Sequence, residues 1–157
     1  MLFRSILGLD MASKTGWAIF DSSTHRVIES GVQEFPLKRG ESNGGRFLRF
    51  RAWLNQITGF LPPIELVAYE QAHFRGGAAT ELCVGFQTRA QEIAAEMGIV
   101  CEGVHTGTLK KWATGSGKGS KDDMMRKAAR RLGRMPIDDN EADAVLIAAW
   151  AAETYGG

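Results

Sequence analysis

The stretch that most constrains the fold lies near the C-terminus, where the chain reads PIDDNEADAVLIAAW. Nine consecutive apolar residues, Ala144 to Ala152, leave no polar side for solvent, so a helix built on them must be enclosed on nearly every face. Four acids, Asp138, Asp139, Glu141 and Asp143, stand at the entrance to this run. Capping absorbs one or two of them, with Asp138 as the N-cap candidate. The rest need a partner, and a metal ion is one candidate.

Upstream, FRSILGLD (Phe3 to Asp10) reads as a short apolar strand ending in an acid. TGWAIFD (Thr15 to Asp21) follows a tight connection and alternates as a hairpin partner does. RVIESGVQEF (Arg26 to Phe35) gives a third strand after a Ser-Ser-Thr turn. The period then changes. Phe47, Phe50, Leu54 and Ile57 mark one face of a helix over Ser42 to Phe60, stopped by Gly59 and the Pro62-Pro63 pair. ELVAYEQ (Glu65 to Gln71) is a buried strand that again ends in an acid, Glu70. Ala78 to Met97 is the longest helix. Its stripe of Leu82, Phe86, Ile93 and Met97 is widened by Cys83, Ala90 and Ala94. After a fifth strand, GIVCEGV, come a short helix over Thr108 to Thr114, the turn TGSGKGS, a basic helix from Ser120 to Arg131 and the final helix from Asp139. Three antiparallel strands followed by β-α-β units predict an α/β fold, a five-stranded mixed sheet with helices on both faces. With no repeat or linker in its 157 residues, the chain is expected to form a single domain, 1–157.

Composition adds a location and a charge pattern. The two cysteines, Cys83 and Cys101, have neither disulfide-framework nor zinc spacing, which points to a reducing, cytoplasmic setting. The N-terminus reads as a strand rather than a signal peptide, and no run approaches a membrane span. From Val104 to Arg134 there are nine Lys/Arg against two Asp, and from Met135 onward five acids and no base. A basic segment beside an acidic helix suits a polyanion surface next to a cation pocket, although a solvated basic helix reads the same way.

Asp10 and Glu70 occupy equivalent places at two strand ends. If those strands are neighbours, both carboxylates leave the sheet on one edge, and their repulsion must be relieved by a proton, a basic side chain or a divalent cation. Asp143 joins them if the final helix crosses the sheet. Three oxygen donors without Cys or His suit Mg²⁺ or Mn²⁺ rather than zinc. A pair of such ions is the usual apparatus for phosphodiester hydrolysis.

ILGLDMASKTGWAIF, VAYEQ, LKKWATGSGKGSKDDM and DNEADAVLIAA together frame nearly the whole chain. In their order and spacing they resemble the RuvC-type Holliday junction resolvases of the ribonuclease H-like (retroviral integrase) superfamily, most closely the short phage-borne members. The resemblance implies a homodimeric endonuclease that uses two Mg²⁺ ions per site, with Mn²⁺ able to substitute, to make paired nicks in four-way DNA junctions. It implies no nucleotide cofactor and no membrane partner, and host cytoplasm as the location if the chain is phage-encoded. Asp10, Glu70 and Asp143 match the catalytic metal ligands. Two family lysines flanking a G-x-G turn match Lys110 and Lys121, with Lys111 and Lys118 as competing registers.

The last helix departs from the pattern. Where the family has a fourth metal-site acid or histidine, three residues before the final Asp, this chain has Asn140. At about 100° per residue, Asn140 lies about 60° to one side of Asp143 and Asp139 about 40° to the other. Either one completes the site, and the neutral amide implies weaker binding of the second cation. Glu141 points about 160° away and is expected to face solvent. In QAHFRGGAAT, the family's base-stacking position falls on His73. Phe74 is the better stacking residue, and Arg75 suits a phosphate. Arg126, Lys127, Arg130 and Arg131 read as phosphate contacts or a solvated face. The breadth of the 78–97 helix suggests self-association through it.

Three other readings compete. An actin- or Hsp70-like ATPase shares the opening GLDMASKTGWAIFD, but it needs a second domain and an adenosine loop that this length does not accommodate. A ribonuclease H-like enzyme acting on RNA or an RNA–DNA hybrid shares the acidic core. A junction-binding protein with weakened cleavage has Asn140 as its hint.

Overall fold

The computed structural model describes residues 3–59, 63–72 and 76–156. Five strands, β1 (Ser5–Asp10), β2 (Lys14–Asp21), β3 (Arg26–Glu34), β4 (Leu66–Glu70) and β5 (Val100–Val104), form one sheet in the order β3-β2-β1-β4-β5. β1 pairs antiparallel with β2 and parallel with β4, so the sheet is mixed as the sequence predicts. The helices are α1 (Asn43–Thr58), α2 (Gly77–Met97), α3 (Thr106–Thr114), α4 (Lys121–Leu132) and α5 (Asp139–Tyr155).

Alternation along the strands divides the core in two. Ile6, Ala18, Phe20, Leu66 and Ala68 pack beneath α5, with Leu109 of α3 and Met124 and Ala128 of α4 in the same cluster. Leu7, Leu9, Ile19, Val67 and Tyr69 face the other way, onto Phe50 and Leu54 of α1 and Leu82, Phe86 and Ile93 of α2. Helices therefore cover both faces. No helix among the described residues is long and apolar enough to cross a membrane.

The apolar run behaves as its composition requires. Ala144 to Ala149 are buried without exception, because α5 lies across β1 and β2 in the most extensive helix–sheet contact among the described residues. Two glycines make that approach possible. A Cβ on Gly8 would overlap the Ala144 carbonyl and sit 2.8 Å from Ala148 Cβ, and one on Gly16 would overlap the Asn140 carbonyl.

The structure corrects the reading of α2. Its apolar face is shared between the sheet and α1. Phe50 stacks on Phe86 at 4.3 Å between ring centroids, and Phe47 fills the space above Gly85. Two neighbours share that breadth, so the width of the stripe alone does not require a second copy. The packed face stops at Ala94, and Met97, the last residue of the helix, is 45% exposed.

Candidate metal centre

β1 and β4 run parallel with Leu9 opposite Tyr69, which brings Asp10 and Glu70 side by side at the ends of their strands. Both continue the parity of Gly8 and Ala68, so both belong to the face that α5 covers. The turn after Asp10 is closed by Thr15, a fully buried residue whose hydroxyl donates to the Ala12 carbonyl at 2.6 Å. After Glu70 the ladder runs on through Gln71 N–H to the Val104 carbonyl, 2.9 Å. Glu70 also accepts a hydrogen bond from the Thr106 hydroxyl at the start of α3, a contact the sequence did not suggest.

Asp143, one turn into α5, completes the group. One ligand oxygen from each of Asp10, Glu70 and Asp143 lies within 4.8 Å of the others, and each residue is partly exposed. The electrostatic cost is visible in their acidities. Burial, then the Asp143 and Glu70 charges, raise the Asp10 carboxyl well above its ordinary range. Burial, followed by Glu70 and Asp139, pushes Asp143 up to about 7, although Lys110 and Lys121 pull the other way. Carboxylates crowded in this way, with two lysines only partly offsetting their repulsion, are what a divalent cation relieves. The all-oxygen donor set fits Mg²⁺ or Mn²⁺.

A cavity of about 220 Å³ opens beside the group, lined by Glu70, Thr106, Lys110, Lys121, Asp139 and Asp143 among others. Lys110 comes from α3 and Lys121 from the first turn of α4, where Ser120 and Asp123 form a reciprocal cap. Lys121 Nζ lies 3.4 Å from the Asp139 carboxylate. Neither Lys111 nor Lys118 lines this cavity. Both are exposed, and the Lys118 backbone N–H is tied to Ser116 Oγ at 3.2 Å.

Asp139 and Asn140 part company here. Asp139 lines the cavity, whereas the Asn140 side-chain amide N–H donates to Asp138 at 3.2 Å and the Asn140 backbone carbonyl rests over Gly16. Asp138 is the N-cap, accepting from Glu141 N–H at 2.9 Å.

The expectation for Glu141 is overturned. It is fully buried, bonded to Arg134, Ile137 N–H and Ser30, because β3 and the segment before α5 enclose the side of the helix turned away from the cavity. Burial pushes its carboxyl up, but Arg134, the Ile137 amide and Ser30 outweigh this and hold it below the usual range.

On the opposite side of the carboxylates, Asp10, Met11, Glu70, Gln71, Ala72 and Cys83 line a smaller cavity. Cys83 thus faces the centre rather than widening the helix stripe. Burial and Asp10 raise its thiol. Arg126 pairs with Asp123. Lys127, Arg130 and Arg131 border a separate groove, where Arg131 covers the Trp112 ring at 5.2 Å. His73, Phe74 and Arg75 lie outside the described residues.

No protein-family model and no curated protein matches the sequence. Solved structures do match. "T. thermophilus RuvC in complex with Holliday junction substrate" superposes with a TM-score of 0.80 at 19% identity, covering 97% of this chain and 93% of that one. A second Thermus thermophilus RuvC structure gives 0.77 at 19% identity, with 96% of each chain covered. The protein therefore has the RuvC fold, a ribonuclease H-like α/β sheet whose strand-end carboxylates meet Asp143 of the crossing helix.

Proposed function

We propose that this protein is a divalent-cation-dependent endonuclease that resolves four-way DNA junctions by paired, symmetric nicks. The observation that carries the reading is the convergence of Asp10, Glu70 and Asp143 within 4.8 Å beside two lysines. The resemblance to RuvC-type resolvases, and a neighbour of the same fold described with a Holliday junction, support four-way DNA as the substrate class.

Asp10, Glu70 and Asp143 would hold two Mg²⁺ ions, or Mn²⁺, with Asp139 adding charge at the rim. Bound ions supply an activated water and stabilise the leaving 3′ oxygen. Lys110 and Lys121 offset negative charge that grows on the scissile phosphate. Lys121 begins paired with Asp139, so an incoming phosphate exchanges one anion for another at its ammonium. Thr106 fixes the Glu70 carboxylate by donating to it. Arg126, Lys127, Arg130 and Arg131 hold backbone phosphates without reading bases. A homodimer would present two centres to a substrate of near two-fold symmetry.

The test uses a labelled four-way junction, a matched duplex and an RNA–DNA hybrid, each incubated with Mg²⁺ or EDTA. Cleavage confined to the junction and to Mg²⁺ is the expected outcome. Cleavage of the hybrid with the junction intact would move the protein to a ribonuclease reading of the same centre.

A further inference from the structure

The first turn of α5 holds a charge for which the reading above has no use. Glu141 is 0% exposed, two residues before Asp143. A carboxylate so enclosed survives only if charge and hydrogen bonds replace its water. Four donors do so. Arg134 approaches both oxygens, at 3.0 Å and 2.8 Å, Ile137 N–H reaches one at 2.7 Å and Ser30 Oγ the other at 2.8 Å. They come from the middle of β3, from just past the Gly133 cap of α4, and from the segment leading into α5.

The rest of α5 has little to fix its rotation. Where it crosses the sheet its contacts are small, Ala144 and Ala148 over Gly8 and backbone over Gly16. Val145, Leu146 and Ile147 pack farther along, and the Trp112 hydrogen bond to Glu153 at 2.9 Å lies near the far end of the helix. Rotation matters to the centre. A turn of about 20° on a helix of 5–6 Å radius carries a carboxylate by roughly 2 Å. Directional bonds from β3 and the preceding segment to one buried charge supply the missing constraint, the registry role best attested for buried ionic groups.

We infer that Glu141 is a positioning residue, which through Ser30, Arg134 and Ile137 sets the rotation of α5 so that Asp143 and Asp139 meet Asp10 and Glu70. The inference rests on the cation-centre reading above. It adds a residue that touches neither cation nor DNA.

The test is Mn²⁺ binding to the full chain, followed by the electron paramagnetic resonance signal of free Mn²⁺ well below each variant's melting temperature. Glu141→Gln keeps the size and removes the charge. Ser30→Ala removes one bond from β3 without changing charge. Phe50→Leu, in the core on the other side of the sheet, is a control for lost stability alone. Glu141→Gln is expected to weaken Mn²⁺ at least 10-fold and Ser30→Ala about 3-fold, with Phe50→Leu unchanged. Wild-type affinity in folded Glu141→Gln and Ser30→Ala overturns the inference. If Glu141→Gln does not fold, Ser30→Ala decides. Asp10→Asn separates the two levels: if it binds Mn²⁺ as wild type does, the cation centre itself is wrong, and the inference falls with it.

Discussion

Asp143 concentrates the electrostatic problem of the whole site in one side chain. Without a cation its carboxyl is raised from 3.8 to about 7 by burial, Glu70 and Asp139. Between those values the folded protein holds a proton that the unfolded chain has released. The contribution of Asp143 to the stability of the cation-free protein is therefore greatest near pH 4 and is lost as pH rises towards 7. One proton corresponds to about 1.4 kcal/mol per pH unit, or a fall in melting temperature of about 3–6 °C per unit in a chain of this size. Melting in EDTA between pH 5 and 7 should show this slope, and Asp143→Asn should reduce it, the remainder belonging to Asp10, whose carboxyl is raised as well. A second expectation separates the two neighbours. Asp139→Ala should weaken Mg²⁺ about 10-fold in calorimetric titration, while Asn140→Ala should leave it nearly unchanged, because the Asn140 amide is engaged with Asp138. Equal tight sites untouched by Asp139→Ala would contradict this. The strand-end acids were legible because alternation and strand order fix where they emerge. Glu141 was not. Helical geometry correctly turned it away from Asp143 but says nothing of what lies on that side, where a basic residue seven positions earlier and a β3 serine enclose it.

Element boundaries were legible wherever the chain carries its own stop signals. Ser42, Ser120 and Asp138 cap the starts of α1, α4 and α5, and left-handed glycines at 98, 115 and 133 end α2, α3 and α4. How the elements press together was less legible. Gly8 and Gly16 look like ordinary strand glycines in the sequence, yet they allow α5 to descend far enough for Asp143 to reach Asp10. Gly16→Ala should force the helix up from the sheet, costing about 1–3 kcal/mol. It should also weaken Mn²⁺ binding in whatever fraction stays folded. A melting curve with a Mn²⁺ titration on the same sample checks both, and an unchanged affinity would mean that the contact serves packing alone. Similarly, the breadth of α2 was an incomplete signal because a helical stripe does not say how many partners share it. Phe47 and Phe50 of α1 take what the sheet leaves.

For the whole molecule, the distribution of charge is what a branched DNA substrate would meet. Lys110 and Lys121 sit at the carboxylate cavity, while Lys127, Arg130 and Arg131 continue along α4. Replacing Lys127 and Arg130 by Gln should weaken junction binding in EDTA and reduce the salt dependence of log K by about one for each lost phosphate contact. An unaltered salt slope in a filter-binding series would show this helix to be a solvated face. The order of the elements carried the fold into the sequence reading, since a meander followed by β-α-β units leaves few sheet topologies. The most direct measurement is a map of nicks on a four-way junction with each strand labelled in turn, comparing wild type with Asp143→Asn in Mg²⁺. Wild type should nick two strands of like polarity at symmetry-related positions, and Asp143→Asn should bind the junction without nicking it. Strands left intact by wild type that binds the junction, or cut at the wild-type rate by Asp143→Asn, would contradict a carboxylate-centred resolvase.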